Sequence, residues 1–317
     1  EELINKEQSH RSACLYTLSH GGALDSLRKN QGGELLYSLC VNIDAVWESL
    51  SNFSVLLKNP PTVTERSGSG TETEMRFTPA AESVFTCSSK HGIPISAALG
   101  SNSAESFRKM FGCRKAFFDN AVAGFSAVVD ENAANELIKS NLAAVVAPDF
   151  TAEAKTLLAE RKDIRLITMS APATISYTIR SLNGGLIVEE DTLTLFDSWN
   201  VVTKARPTQL QADEAAFGQL VMLGAKRDAA AVIENMTTVG MCCAALAPAD
   251  ACFAAINRTA NNMQSESTNG SRRAEIPVSV RPAETLVSAS ALPFDDGFDR
   301  FAKSGIRLIV QPGRTDT

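Results

Sequence analysis

Apolar positions along this chain recur with two periods. Over 34–51, Leu35, Leu36, Leu39, Ile43, Val46, Trp47 and Leu50 fall three and four residues apart, the spacing that gathers one face of a helix. Elsewhere, short continuous apolar runs bounded by turn residues have the length of buried strands. They stand at 13–18, 83–87, 124–129, 142–147 and 164–169, and again at 229–234, 239–244, 286–289 and 306–311. Helices are predicted between them, over 105–111, 131–140, 151–160 with Thr151 as N-cap, 212–223, 248–257 with Pro248 in the first turn, and 296–304 stopped at Gly305. Strand alternating with helix implies an α/β fold on a largely parallel sheet covered on both faces. Segments 174–180 and 186–190 flank Asn183-Gly184-Gly185 and read as a hairpin.

Two stretches break the pattern. Residues 58–80 and 259–282 are polar and Pro-containing, and read as exposed, partly disordered excursions. A chain of 317 residues exceeds what one small core organises, so two units are expected, 1–198 and 199–317.

Composition narrows the class. Hydrophobic content of 44% and charged content of 21% describe a globular protein. The net charge of −6 and the lack of a basic run with interleaved aromatics argue against a nucleic-acid surface. No apolar run is long enough to span a bilayer. The opening residues Glu1 to Lys6 are not a signal peptide, although a removed targeting segment stays open. The seven cysteines are scattered, with no Cys-Xaa-Xaa-Cys pair, which excludes the common zinc and redox motifs. They read as small core hydrophobes in a reducing compartment, the cytoplasm or an organelle matrix such as the mitochondrion.

Chemistry is concentrated after the run at 83–87. Lys90 and His91 follow it, then Gly92 and Pro94, which force a turn. With His10 and His20, His91 completes the histidines of the chain. Imidazole titrates near neutrality and can pass protons. A cation and an imidazole at the end of a core strand are placed to act on a ligand, or they decorate a loop. Asp295-Asp296 reads as helix capping. Gly184-Gly185 is no phosphate cradle, since no helix start follows. Trp47, Trp199 and the pair Phe117-Phe118 read as packing residues.

Seven short motifs, in order, resemble the transformylase half of the AICAR transformylase/IMP cyclohydrolase family. They are Gln31-Gly32-Gly33-Glu34-Leu35-Leu36-Tyr37, Lys90-His91-Gly92-Ile93-Pro94, Val145-Val146-Ala147-Pro148-Asp149-Phe150, Arg180-Ser181-Leu182-Asn183-Gly184-Gly185-Leu186, Val201-Val202-Thr203-Lys204, Pro293-Phe294-Asp295-Asp296-Gly297 and Gln311-Pro312-Gly313. The resemblance implies two tandem cytidine-deaminase-like α/β/α units, a homodimer with active sites across its interface, and formyl transfer from formyl-tetrahydrofolate to the amine of AICAR. In that family the imidazole takes the amine proton and the ammonium stabilises charge on the formyl oxygen. Lys90 and His91 hold those positions here.

The ligand-facing motifs depart from the family. Its opening Arg for the nucleotide phosphate is Ile4, leaving Lys6, His10 and Arg11 nearby as weak substitutes. Its Val-Lys-Ser-Asn-Ala is Ala225-Lys226-Arg227-Asp228-Ala229, so Lys226 is retained and Asp228 replaces an amide with a carboxylate that cannot donate. Its Gly-Ile-Gly-Ala-Gly-Gln-Met-Ser-Arg loop is Gly240-Met241-Cys242-Cys243-Ala244-Ala245-Leu246-Ala247-Pro248, without the second and third glycines or the Arg. The Asp of its Ser-Asp-Ala-Phe-Phe-Pro-Phe is Ala289. Residues that specify a fold remain, while those that hold ligands are gone. Each charged phosphate bond lost costs about 1.5–3 kcal/mol. The expectation is a catalytically inactive homologue without a cofactor, serving as a structural or assembly subunit of a larger complex. The alternative is an active formyltransferase using formyl-tetrahydrofolate and held substrates.

Overall fold

In the computed structural model, residues 2–4, 13–15, 23–58, 60, 62–66, 72–77, 79, 82–113, 118–170, 177–190, 199–225, 228–268, 284–292 and 297–313 are described. Strands β1 (Glu2–Ile4) and β2 (Ala13–Leu15) pair antiparallel. After β3 (Arg28–Gln31), helix α1 (Tyr37–Lys58) buries Leu39, Ile43, Val46, Trp47 and Leu50, the face predicted from their spacing. Then come β4 (Thr62–Arg66), β5 (Glu72–Arg76), β6 (Val84–Lys90), β7 (Ile93–Gly100), α2 (Ser103–Gly112), β8 (Val122–Phe125), α3 (Glu131–Leu137), β9 (Ala144–Ala147), α4 (Ala152–Leu158) and β10 (Arg165–Thr168). Hairpin β11 (Tyr177–Leu182) and β12 (Gly185–Glu190) turns at Gly184, φ 84°. The chain continues with α5 (Gln209–Leu223), β13 (Asp228–Glu234), β14 (Thr237–Ala245), α6 (Pro248–Thr268), β15 (Thr285–Ser288), α7 (Gly297–Lys303) and β16 (Leu308–Val310).

Ten strands form one sheet in the order β16-β15-β13-β14-β7-β6-β8-β9-β10-β3. It is mixed rather than largely parallel. Pairing is parallel among β8, β9 and β10 and between β15 and β16, where helices make the crossovers. It is antiparallel at the centre because two-residue turns join β6 to β7 and β13 to β14. His91 and Gly92 have φ of 58° and 70°, and Asn235 and Met236 have φ of 49° and 56°. Two consecutive positive φ values give the primed turn whose twist matches a hairpin.

Helices cover both faces. On one face α1 and α5 lie over strands from both halves, and the Phe53 ring stacks on Phe85 at 4.7 Å, with Phe217 edge-on at 6.2 Å. On the other, α2, α3 and α4 pack over β8–β10, and α6 and α7 over β13–β15. Alternation along β9 sends Ala144 and Val146 to one face and Val145 and Ala147 to the other. The halves meet where β7 pairs with β14: Thr238 Oγ1 accepts from the Ala97 amide at 2.9 Å, and the Leu99 amide donates to the Met236 carbonyl at 2.9 Å. Glu214 on α5 is buried and ties the β13–β14 turn to β15, accepting from the Asn235 amide at 2.9 Å and Thr285 Oγ1 at 2.6 Å. Burial raises its carboxyl above the usual glutamate value, against the pull of those two bonds.

Several expectations need correction. The excursion at 58–80 carries the β4–β5 hairpin and a buried Phe77. Residues 259–268 extend α6, while 269–282 lie outside the described residues. Strand β7 was hidden because Gly92 and Pro94 read as turn signals throughout, whereas the turn is His91-Gly92 and Pro94 is already in the strand. Strand β3, Arg-Lys-Asn-Gln, has no apolar signal and pairs antiparallel to β10 through its backbone. Among the described residues no helix is long and apolar enough to cross a membrane.

Candidate functional site

The turn between β6 and β7 is built tightly from below. A Cβ at Gly92 would lie 2.7 Å from Val41 Cγ1, and the Gly92 amide donates to Asn42 Oδ1 at 2.8 Å. His91 is exposed and sits in the left-handed region, which histidine enters more readily than most residues. That alone is a structural reason for a histidine here. Lys90, half-buried at the end of β6, donates from Nζ to the Asp119 carbonyl at 2.7 Å. Lysine and imidazole therefore stand at one end of the sheet on a fixed backbone.

Two clefts open at that end. The larger, about 620 Å³, lies over the starts of β8, β9 and β10, and is lined by Asp119, Asn120, Asn141, Lys162, Asp163 and Arg165. Lys90 reaches its rim through Asp119. Its cations are partly committed. Arg165 donates from Nε to the Glu34 carbonyl at 3.0 Å. Arg161 pairs with Asp163 at 2.8 Å, and this bond holds the Asp163 carboxyl below the usual range. Lys162 is exposed.

The smaller cleft, about 420 Å³, is lined by the end of α5, by Ala225 and Asp228, and by Ala289 and Ser290 after β15. Among the described residues Asp228 is the one charged side chain in that lining, and it accepts from Ser290 Oγ at 2.5 Å. Asp228 pairs with Ala245 at the end of β14. The preceding Ala244 has φ 61°, so a residue standing where the family motif has glycine keeps a glycine-like backbone. A Cβ there costs about 1–2 kcal/mol.

Strand order and register fix the relation of the predicted residues. Lys90, His91 and Asp228 share one end of the sheet, because β14 runs antiparallel to both β7 and β13, and Cys243 Sγ donates to the Pro94 carbonyl at 3.5 Å. From β7 to β13 is two strand spacings, about 10 Å. Lys90 leans away from Asp228, toward the larger cleft. Lys6, His10, Arg11 and Lys226 lie outside the described residues, as do Asp295, Asp296 and Phe117.

Sequence reasoning missed Lys162, Arg165 and the asparagines of the larger cleft. Lys162, Asn120 and Asn141 sit in turns before strands, Arg165 opens β10, and none carries a periodic or motif signal. Other motif residues serve the backbone. Gln31 donates from Nε2 to the Leu158 and Arg161 carbonyls at 2.8 and 2.9 Å and closes α4. Gly240 lets α6 approach β14, since a Cβ there would be 2.2 Å from the Ala255 carbonyl oxygen. Cys87, Cys242 and Cys252 are buried, as core hydrophobes should be, and the six described cysteines are free thiols. Burial pushes the Cys243 thiol up to about 12 and the Cys252 thiol up to about 11, which suppresses the reactive thiolate. Among the described residues no group of His, Cys, Asp and Glu is arranged to hold a metal ion.

Comparison with known proteins agrees with the motifs. A family model described as AICARFT/IMPCHase bienzyme matches residues 4–258. The chain is 25% identical over 313 residues to the bifunctional purine biosynthesis protein PurH of Clostridium acetobutylicum, covering 98% of this chain and 53% of that protein. It is 26% identical over 315 residues to PurH of Brachyspira hyodysenteriae, covering 99% and 53%, and 24% identical over 314 residues to PurH of Petrotoga mobilis, covering 98% and 52%. The chain thus spans about half the length of the curated relatives it matches.

Proposed function

The chain belongs to the AICARFT/IMPCHase bienzyme family, and from that premise we propose that it keeps the transformylase architecture as a structural or assembly subunit of a larger complex and does not itself transfer a formyl group. The observation that carries this reading is the smaller cleft, where the one charged lining residue among those described is the carboxylate of Asp228. A nucleotide phosphate entering there meets a like charge, and Ala289 offers no hydrogen bond in place of the family's Asp. The continuous sheet with helices on both faces supports two tandem cytidine-deaminase-like units, divided as 1–198 and 199–317. The subunit would work as a homodimer or within a multiprotein assembly, in the cytoplasm or an organelle matrix, and without a cofactor.

Formyl transfer from formyl-tetrahydrofolate to AICAR remains the second reading, favoured by one specific observation. Lys90 and His91 stand on a tightly built turn beside a cleft lined by Lys162 and Arg165 together with Asp119 and Asp163. Isothermal calorimetry with AICAR, together with a formyl-transfer assay on the full chain, separates the two. We expect neither binding at micromolar concentration nor turnover. Turnover that disappears in His91→Ala establishes the enzyme and removes the first reading.

A further inference from the structure

The loop after β15 holds the Asp228 carboxylate in place. Ser288 is buried, and its Oγ donates to the Ser290 carbonyl at 2.7 Å and accepts from the Ser290 amide at 3.4 Å. The loop so pinned aims Ser290 Oγ at Asp228 Oδ1, 2.5 Å away. Among the described residues this is the one hydrogen bond to the Asp228 side chain, and no cation pairs with it. Around the carboxylate the smaller cleft is lined by Met222, Leu223, Ala225 and Ala289, with Gln219 as a further polar side chain. Leu246 follows Ala245, the strand partner of Asp228, and at 96% exposure adds apolar surface at that strand end. A volume of about 420 Å³ is that of a pocket for a small ligand.

We propose that the smaller cleft binds an alkylammonium ion, a protonated primary amine on an unbranched apolar stem. Three features select that chemistry. The first is sign, since a carboxylate that no described cation pairs with attracts a cation and repels a phosphate. The second is the wall. Met222, Leu223, Ala225 and Ala289 suit a chain of methylenes, which packs on apolar surface while its charged head keeps a polar partner. The third is the shape of the head. A guanidinium fork takes both oxygens of a carboxylate, and Asp228 Oδ1 already accepts from Ser290. An ammonium is a compact charge with three donors. It needs only Asp228 Oδ2, and the lining offers the Gln219 amide oxygen as a second acceptor. A metal ion of the calcium or magnesium kind wants more oxygen ligands than one carboxylate supplies. Two sources carry the same head and stem, a lysine side chain of a partner protein and a free polyamine. The proposal rests on reading the chain as a subunit that excludes the nucleotide, and names what the cleft takes instead.

Ligand-observed NMR titration of the full chain tests it, with butylammonium, putrescine and Nα-acetyl-lysine methylamide as probes and 1-butanol as the neutral counterpart. The ammonium probes are expected to bind at least about tenfold more tightly than butanol. Asp228→Asn should weaken them by about ten- to a hundredfold, the worth of one charged hydrogen bond. Ser290→Ala, which frees the carboxylate to turn, should weaken them about threefold. Glu160→Gln, at an exposed carboxylate after α4, should change nothing. Tighter binding of the lysine derivative assigns the cleft to a partner's side chain, and tighter binding of putrescine assigns it to a free polyamine; either supports the alkylammonium site. Absence of binding, or binding that Asp228→Asn leaves unchanged or that Glu160→Gln weakens equally, overturns the site and leaves the assembly reading standing. Binding seen only in Lys226→Ala shows that the chain fills its own cleft, and also overturns it. The AICAR calorimetry and the formyl-transfer assay report on the functional reading separately, whatever the amines do.

Discussion

The cleft beside Lys90 and the cleft beside Asp228 open at the same end of one sheet, yet their linings differ in charge. The first mixes Lys162 and Arg165 with Asp119 and Asp163, and the second has, among the described residues, a lone carboxylate. Arg165 also bonds the Glu34 carbonyl, and neighbouring Arg161 bonds the Ile138 and Ser140 carbonyls at 2.6 and 3.0 Å, closing α3. Cations on this side hold backbone as well as line a cleft. Around Asp228 the described contacts give no backbone reason for a cation, and none of the described residues lining the cleft is one. Among the described residues, cations stand where the fold employs them.

Gly240 offers the largest expected effect, since it lies on β14, the strand between β13 and β7. Its Cβ would meet the Ala255 carbonyl oxygen and Thr259 Oγ1 at 2.2 and 2.3 Å. Gly240→Ala should therefore lower stability by about 3 kcal/mol in urea unfolding. A negligible loss would mean that the glycine serves ligand approach instead of helix packing.

Next in size is Glu214. Its removal leaves the Asn235 amide and the Thr285 hydroxyl without their acceptor, and Glu214→Ala should cost about 2 kcal/mol. The pH dependence has a definite sign. Because the folded carboxyl is raised, the folded state binds the proton more tightly than the unfolded one. Its contribution is full below the ordinary glutamate value and is lost as pH rises through the folded value. Glu136 on the other half is lowered, chiefly by the hydrogen bond from Lys139 acting against desolvation, so its contribution runs the other way and fades as pH falls. Urea midpoints of wild type and Glu214→Gln, a mimic of the protonated carboxyl, should lie closest at mildly acidic pH, with the wild type losing stability relative to the variant as pH rises. Parallel curves would show that Glu214 does not titrate there.

A smaller and opposite effect is expected at Ala244. Glycine relieves the positive φ, so Ala244→Gly should stabilise by about 1 kcal/mol despite the greater freedom of the unfolded chain. Destabilisation would mean that the alanine methyl packs usefully in the loop.

The smallest change should come from Asp228→Asn, within about 0.5 kcal/mol, because the side chain is half-exposed and Ser290 retains an acceptor. It sharpens the comparison through binding. If calorimetry shows AICAR bound by this variant and not by the wild type, one carboxylate is what excludes the nucleotide.

Much of the architecture was legible because it follows from local rules. The α1 stripe, the Thr151 cap of α4, whose Oγ1 accepts from the Ala154 amide at 3.2 Å, and the Gly184 hairpin are decided by spacing and side-chain chemistry within a few residues. The site was legible only in part. Lys90, His91 and Asp228 stood out as residue types in motifs, but Lys162 and Arg165 acquire meaning only when β9 and β10 lie beside β8. The largely parallel sheet failed as an expectation because pairing direction depends on turns, and Pro94 masked the strand it belongs to.

The sequence by itself determined most of the helices and the apolar strands, their apolar faces, and that the motifs match one family, since each depends on periodicity and on residues close in the chain. Tertiary structure alone decided that one sheet joins both halves through β7 and β14, that Lys90 turns toward one cleft while Asp228 lines another, and that Ala244 inherits a glycine's backbone. Those outcomes come from contacts between residues far apart in the chain, such as Ala97 with Thr238, and no local pattern encodes such a distance.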